Sequence, residues 1–244
     1  MRRERTAPPK KEWVRGGRLP GVILASASPR RRELLKRIVP RFRIVPSRVD
    51  EDRFRDADPA VFAARAAEAK ARAVGRRHPR SLVIAADTLV SLGNEVFGKP
   101  GSRAEAVSML GRLSGRTHTV VTAIALYHHR TGRILSGRET SRVTFHRLEP
   151  DDLEDNLDGN EYLDKAGAYA IQESGSRLVK RLEGGYDNVV GLPLGLLMRL
   201  IQRFFEQQAA PARMNKEMFE NRLKRRRPLS GEGIRDRAGH EEVK

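Results

Sequence analysis

The chain has 244 residues, 39% hydrophobic and 32% charged, which suits one sizeable α/β domain with a strongly charged surface. It has no cysteine, which excludes disulfides, thiolate zinc sites and cysteine nucleophiles and leaves oxygen or histidine ligands for any metal. The net charge of +17 favours polyanionic partners such as nucleotides, nucleic acid or acidic membrane surfaces, without choosing among them.

Strands and helices alternate in the first half of the chain. A short apolar strand at Val22–Ala25 precedes a helix that Ser28 caps and Pro29 opens. Later strands are predicted at Phe42–Val45, Leu82–Ala86, Ala168–Ile171 and Leu178–Leu182, with a β-hairpin formed by Thr117–Tyr127 and Ile134–Phe145. Later helices are predicted from Asp58 to about Val74, from Ser102 to about Leu113, and at Pro150–Leu157 and Pro193–Phe205. This order of elements predicts an α/β protein with a mixed sheet.

Both ends of the chain are basic and lie outside the periodic part. We expect residues 1–20 to be a disordered basic extension, residues 21–205 to form the domain, and residues 206–244 to be a polar basic tail, partly helical or disordered. The run Lys224–Arg227 could contact nucleic acid, but no aromatic platform accompanies it, and a solvated tail is the simpler interpretation. The apolar run Val189–Met198 is about half as long as a bilayer span, so we expect a cytoplasmic protein.

The turn from Ser26 to Arg31 has the features of an anion site. It joins a strand to the start of a helix, where backbone N–H groups and the helix dipole attract anions. Arg30 and Arg31 lie in the first helical turn, where each cation is disfavoured by about 0.3–1 kcal/mol. A bound anion would offset that repulsion; the alternative is that both side chains simply face water.

Three further segments carry candidate groups. Asp87 follows an apolar strand, so we expect it at the carboxyl edge of the sheet, where a carboxylate suits Mg²⁺ coordination or deprotonation of water. A turn-capping aspartate is the alternative. Lys99, held between Gly98 and Pro100, suits a phosphate but is equally compatible with a surface lysine. Glu51 lies in an acidic cluster that could hold a hard cation, although such clusters are usually solvated loops.

Six segments, taken together, resemble the Maf family, whose members are also called septum formation inhibitor proteins. They appear in family order over roughly residues 21–205: Leu24–Arg31, Ala85–Thr88, Gly98–Pro100, Leu113–His118, Asp164–Gln172 and Val189–Leu194. The resemblance implies a fold of the Maf and inosine triphosphatase type. Such a fold has a mixed sheet with flanking helices and a central cleft between two lobes.

The resemblance also implies an enzyme, a nucleoside triphosphate pyrophosphatase (diphosphatase) that cuts dTTP and UTP between the α- and β-phosphates. Such enzymes use a divalent cation, Mg²⁺ or Mn²⁺. By motif position, Asp87 would be the general base, and Glu51 would help Asp87 to hold the metal. The residues assigned to the substrate are Ser28, Arg30, Arg31, Lys70, Thr88, Lys99 and Gln172. Among them, Arg30, Thr88 and Gln172 would influence the choice of base.

Two positions depart from the family pattern. Ala170 and Glu173 stand where the family tends to have glycine, and both bear on which nucleotide is preferred. Two other functions stay open. One is a non-enzymatic regulator that binds nucleic acid or a cell-division partner through the basic ends, and the other is a pyrophosphatase directed at inosine triphosphate or 7-methyl-GTP. A homodimer is expected from the resemblance alone.

Overall fold

The structure, a computed structural model, describes residues 21–56, 58–157 and 161–206. The extensions predicted at residues 1–20 and 206–244 therefore lie outside the described residues, apart from residue 206. The strands are β1 (Val22–Leu24), β2 (Arg43–Ile44), β3 (Leu82–Leu92), β4 (Glu95–Phe97), β5 (Thr117–His128), β6 (Arg133–Phe145) and β7 (Val179–Glu183). The helices are α1 (Pro29–Lys36), α2 (Pro59–Arg77), α3 (Arg103–Leu113), α4 (Pro150–Leu157), α5 (Tyr186–Val190) and α6 (residues 194–206).

The strands form a seven-stranded mixed sheet. Its order is β2-β1-β3-β5-β6-β7, and β4 pairs with β3 outside this path. β1 is parallel to β2 and to β3, whereas the other pairs are antiparallel. The α/β class with a mixed sheet and flanking helices is thereby confirmed.

Successive side chains of β3 point to opposite faces of the sheet and pack into two different apolar clusters. Leu82 and Ile84 pack in one apolar cluster with residues of α1 and α6. Val83 and Ala85, which point to the opposite face, pack in another cluster with α2. Helices therefore cover both faces, as the apolar sequence of β3 requires.

A third apolar cluster lies towards the other end of the long strands. It contains Val90 of β3, Val120 of β5 and Phe145 of β6, packed with Leu110 of α3 and Leu157 of α4. The strands β3, β5 and β6 therefore run through two lobes, each with its own apolar core.

The starts of three helices follow the predicted capping pattern. The side chains of Ser28, Asp58 and Ser102 each accept a hydrogen bond from a backbone N–H in the first turn of α1, α2 and α3. In the described ranges, no helix combines the length and the apolar character that a membrane crossing requires. The cytoplasmic location and the homodimer stay predictions.

The predicted strand at Ala168–Ile171 is wrong. Residues Ala166–Ala168 form a short 3-10 turn instead, in which Gly167 has φ 72° and Ala168 has φ 63°. Two successive left-handed residues cannot continue an extended strand, and the second conformation is uncommon for a residue with a Cβ atom. The short elements β4 and α5 were not predicted.

The contact between α2 and β5 provides a test of packing. A Cβ atom at Gly75 would lie 2.4 Å from Cδ1 of Tyr127, whereas one at Gly111 on α3 would meet nothing within 4 Å. We expect Gly75→Ala to lower the free energy of unfolding by about 1–3 kcal/mol, because the buried ring must move. Gly111→Ala should be neutral or stabilise by up to about 1 kcal/mol. Urea unfolding measures both, and equal effects would contradict this packing.

Candidate active site

One cavity of about 310 Å³ lies where the two lobes meet. It is lined by all nine residues that the sequence resemblance assigned to a site: Ser28, Arg30, Arg31, Glu51, Lys70, Asp87, Thr88, Lys99 and Gln172. These residues come from the β1–α1 turn, the first turn of α1, the loop after β2, α2, β3, the loop after β4 and the segment before β7. Their convergence is a property of the fold; their roles stay predictions.

Asp87 reaches this cavity because one edge of β3 is open beside it. β1 pairs with β3 only as far as Ile84, and β4 begins to pair at Val90. The prediction that Asp87 follows the end of its strand is wrong. β3 continues through Asp87 to Leu92, because its antiparallel pairing with β5 continues beyond that residue. Asp87 lies instead beyond the carboxyl end of β1, which runs parallel to β3. Ligands of α/β sheets bind at the carboxyl ends of parallel strands, so Asp87 still has such a position, although the strand that ends there is β1.

A buried lysine joins two carboxylates at the floor of the cavity. Nζ of Lys70 lies 2.5 Å from Oδ1 of Asp87 and 2.7 Å from Oε1 of Glu51. Only 5% of Lys70 and 2% of Asp87 are exposed, so each charge depends on the other. Burial raises the pKa of Asp87 above its ordinary value, although the Lys70 ammonium opposes the shift. Burial also opposes ionisation of Glu51, but Lys70, together with Lys99 and Arg31, outweighs burial and lowers the pKa of Glu51.

The same carboxylates suit a divalent cation. Within the described residues, no group of three or more acidic or histidine side chains converges, so a metal cage made of protein alone is absent there. However, Oδ2 of Asp87 is buried and has no hydrogen-bond partner among these residues. Mg²⁺ commonly binds through one or two carboxylates together with substrate phosphates. Asp87 and Glu51 fit that kind of site.

Among the charged residues of the cavity lining, cations outnumber acidic groups. Arg30 pairs with Asp164 at 3.5 Å across the junction of the lobes, and Asp164 also pairs with Lys165 at 3.3 Å. Lys99 lines the cavity with its side chain exposed. The lining holds five cationic and three acidic side chains: Arg30, Arg31, Lys70, Lys99 and Lys165 against Glu51, Asp87 and Asp164. This excess of positive charge is suited to a polyanion.

Arg31 is tied to the protein more firmly than the sequence indicated. Its Nε donates to the carbonyl oxygen of Gly191 at 2.9 Å, and its NH2 donates to Oγ1 of Thr88 at 2.9 Å. A third N–H donates to Oγ of Ser26 at 3.4 Å. Three of the five N–H groups of a guanidinium are thus used inside the protein, which leaves two for a ligand.

A family model described as "Maf-like protein" matches residues 21–204. The chain belongs to the Maf family. It is 49% identical over 183 residues to the dTTP/UTP pyrophosphatase of Moorella thermoacetica, covering 75% of this chain and 94% of that protein. Proteins of the same name from Myxococcus xanthus and Pyrococcus furiosus are 45% and 43% identical, and the matches cover 91% and 94% of those proteins. The fold also resembles a HAM1 protein from Coxiella burnetii at 15% identity, with a TM-score of 0.46 over 77% of this chain and 100% of that one.

Part of the lining of this Maf cavity forms an apolar wall. Ile171, Val189 and Val190 line it, together with Tyr169 and the side chain of Gln172. Its mixture of apolar side chains and one amide is suited to a nucleotide base. One departure from the family pattern, Ala170, also lines this wall, whereas the side chain of Glu173, the other, lies outside the described part.

Sequence reasoning missed several polar residues of the Maf site. Asp164 and Lys165 belong to a segment that carried the resemblance, yet neither was assigned a role. Thr122 lies behind Thr88, with 2.9 Å between the two hydroxyl oxygens, and is fully buried. One signal could have revealed it, because Thr122 is a single hydroxyl residue inside an otherwise apolar strand segment.

A buried histidine behind the wall of the cavity predicts how stability depends on pH. Nε2 of His118 shares a hydrogen bond of 2.8 Å with the hydroxyl of Tyr169, and the ring is 1% exposed. Burial lowers the pKa of His118 from 6.5 to about 4. Between these values the unfolded chain binds a proton that the native state excludes, so stability falls as the pH decreases.

As the pH falls from 6.5 to about 4, we expect the exclusion of this proton from His118 to lower the free energy of unfolding by about 3 kcal/mol. His118→Gln keeps a hydrogen-bonding group for Tyr169 but cannot titrate, so its unfolding free energy should fall less steeply with acid. His146→Gln, at an exposed position, is the matched control. Urea unfolding across this pH range measures both, and an unchanged slope in His118→Gln would refute the prediction.

Proposed function

We propose that the protein is a nucleoside triphosphate pyrophosphatase that hydrolyses dTTP and UTP to the nucleoside monophosphate and pyrophosphate. Membership of the Maf family supports this activity, as do relatives at 41–49% identity that bear the name dTTP/UTP pyrophosphatase. The observation that carries the proposal is the cavity between the lobes, where a buried carboxylate with one unpartnered oxygen lies among five cationic side chains.

Asp87 is proposed as the general base. A base with a raised pKa is closer to the pH at which proton transfer is efficient, and burial raises the pKa of this carboxyl. Asp87 accepts a proton from water as the water oxygen bonds to the α-phosphorus. The bond from that phosphorus to the oxygen bridging the α- and β-phosphates breaks, and pyrophosphate leaves with the bridging oxygen.

The cations of the cavity hold the triphosphate for this step. Arg30, Lys99 and Lys165 line the cavity, and positioned cations stabilise charge that develops on transferring phosphoryl groups. Ser28 and the free N–H groups of Arg31 add donors beside them. Lys70 has a different part in the proposal, because its ammonium keeps Asp87 and Glu51 oriented and ionised at the floor. Mg²⁺ or Mn²⁺ held by Glu51 and Asp87 would supply charge neutralisation to the phosphates and increase the acidity of water.

The base is proposed to lie against the apolar wall. Uracil and thymine present an N–H donor between two carbonyl acceptors, so an amide such as Gln172 and a hydroxyl such as Thr88 can both pair with them. Both side chains line the cavity, as does Arg30. These three residues are the proposed determinants of base choice.

A panel of triphosphates tests the activity. With Mg²⁺, we expect pyrophosphate release from dTTP and UTP to exceed that from CTP, inosine triphosphate and 7-methyl-GTP. Asp87→Asn keeps the shape of the side chain but removes the base, so kcat/KM should fall by about 10²–10⁴-fold. Asp155→Asn, at an exposed position paired with Arg177, should behave as wild type. No release from any triphosphate, or a wild-type rate in Asp87→Asn, would overturn the proposal.

The dependence on metal tests the second carboxylate. Glu51→Gln removes one of the two proposed ligand groups, so the Mg²⁺ concentration for half-maximal rate should rise roughly tenfold or more. Asp52→Asn alters the next residue, whose exposed side chain pairs with Arg55, and should leave the Mg²⁺ titration unchanged. Equal shifts in the two variants would mean that general charge, and not Glu51, attracts the metal.

A further inference from the structure

A chain of buried hydrogen bonds behind the cavity has a defined direction. The hydroxyl of Thr122 lies 2.8 Å from the carbonyl oxygen of Asn188. A carbonyl oxygen can only accept, so Thr122 must donate, and a hydroxyl has only one proton to give. Both residues are fully buried, so a Thr122 proton that turned away from this carbonyl would leave the carbonyl oxygen without water to replace it, which is costly.

The direction passes on to Thr88, which lines the cavity. Its hydroxyl oxygen lies 2.9 Å from that of Thr122, and since the Thr122 proton is already used, Thr88 must donate to Thr122. The NH2 group of Arg31 donates to the same Thr88 oxygen at 2.9 Å. One of its two lone pairs is thus occupied. Thr88 therefore has no proton for a ligand and a single lone pair that can accept one.

The surroundings keep this arrangement from shifting. The side-chain amide of Asn188 donates to the carbonyl oxygen of Val120 at 3.1 Å and to the hydroxyl of Ser141 at 2.9 Å. Ser141 in turn donates to the carbonyl oxygen of Gly185 at 3.1 Å. The carbonyl of Asn188, which accepts from Thr122, therefore belongs to a residue that is also held by hydrogen bonds to β5 and β6.

Gly191 closes the other end of the network. A Cβ atom there would lie 3.2 Å from the hydroxyl oxygen of Thr88 and 3.3 Å from Nε of Arg31. Thr88 and Arg31 are thus packed closely against this backbone. The orientation of the Thr88 hydroxyl is determined by Thr122, a residue that does not itself line the cavity.

We propose that Thr122 is a positioning residue for substrate choice, which makes Thr88 a hydrogen-bond acceptor for position 3 of the base and so favours bases that carry a proton on N3. This inference rests on the proposed function. Uracil and thymine carry a proton on N3, whereas N3 of cytosine is an acceptor. Facing N3, an acceptor-only Thr88 pairs with the first two bases and not with the third, because two acceptors that face each other leave both unpaired.

The test compares two substitutions at Thr122. Thr122→Val has nearly the same shape but no hydroxyl, so the Thr88 proton is released and can turn towards the cavity. We expect the ratio of kcat/KM for UTP to that for CTP to fall about fivefold or more, the factor that one neutral hydrogen bond confers. Thr122→Ser keeps the hydroxyl and should retain the wild-type ratio.

A second background separates positioning from general damage. In Thr88→Val the acceptor is already absent, so adding Thr122→Val should not change the UTP-to-CTP ratio further. Near-ultraviolet circular dichroism checks that each variant folds, and Thr122→Ala, which also lacks the hydroxyl, replaces Thr122→Val if the latter does not fold. Binding of α,β-methylene analogues of UTP and CTP gives the same ratio without turnover.

The outcomes are distinguishable. If wild type releases no pyrophosphate from UTP, the proposed function fails. If wild type is active but Thr122→Val keeps its UTP-to-CTP ratio, or loses both activities equally, the role of Thr122 is overturned and the proposed function stands. A ratio that falls in Thr122→Ser as much as in Thr122→Val also overturns it.

Discussion

The pairing of β3 with β5 is the constraint on which the site depends. Ten residues of β3, from Leu82 to Ser91, pair in register with β5, and this continues past the point where β1 ends. Because β5 holds one edge, β3 can cross from one lobe to the other with its second edge open. A carboxylate on an unsupported loop would be mobile, whereas Asp87 is carried by a strand with a defined direction.

The electrostatics of the cavity follow from how closely α2 approaches the sheet. Ala63, Ala66 and Ala67 form the face of α2 that packs on the strands, and small side chains allow a short distance between helix and sheet. Lys70 lies on this same face, one turn further on, so its ammonium is brought to Asp87 instead of to water. A buried carboxylate without such a partner would be strongly disfavoured, so a helix with a small-residue face is part of the site.

The polar groups behind the cavity give the site a second layer of organisation. Thr88, Thr122 and Asn188 carry hydrogen bonds from Arg31 to the backbone of α5, through the apolar interior between the lobes. Within the described residues, Oδ1 of Asn188 has no hydrogen-bond partner. The hydroxyls of Thr88 and Thr122 and the amide nitrogen of Asn188 are all paired, and breaking one of these hydrogen bonds would cost about 1–3 kcal/mol. The network therefore holds the β1–α1 turn and α5 in one relative position, and the cavity between them has a defined shape.

Much of this organisation was predictable from local patterns. Capping residues such as Ser28 and Ser102, the apolar start of β3 and the hairpin of β5 and β6 are short-range signals. The structure has α3 and the hairpin close to the predicted bounds, whereas β3, predicted to end at Ala86, continues to Leu92. The strand expected at Ala168–Ile171 fails because its apolar residues are buried in a turn with positive φ angles, and burial alone does not distinguish a turn from a strand.

The sequence by itself determined the family, the α/β class and nine of the residues that line the cavity, because these depend on local spacing and ordered motifs. Only the tertiary structure decided which of those residues touch. It placed Asp87 inside a strand, paired Lys70 with two carboxylates and turned Arg31 towards Thr88 and Gly191. The physical reason is that each contact joins residues distant in the chain, and distance in space depends on strand register and on how closely helices pack.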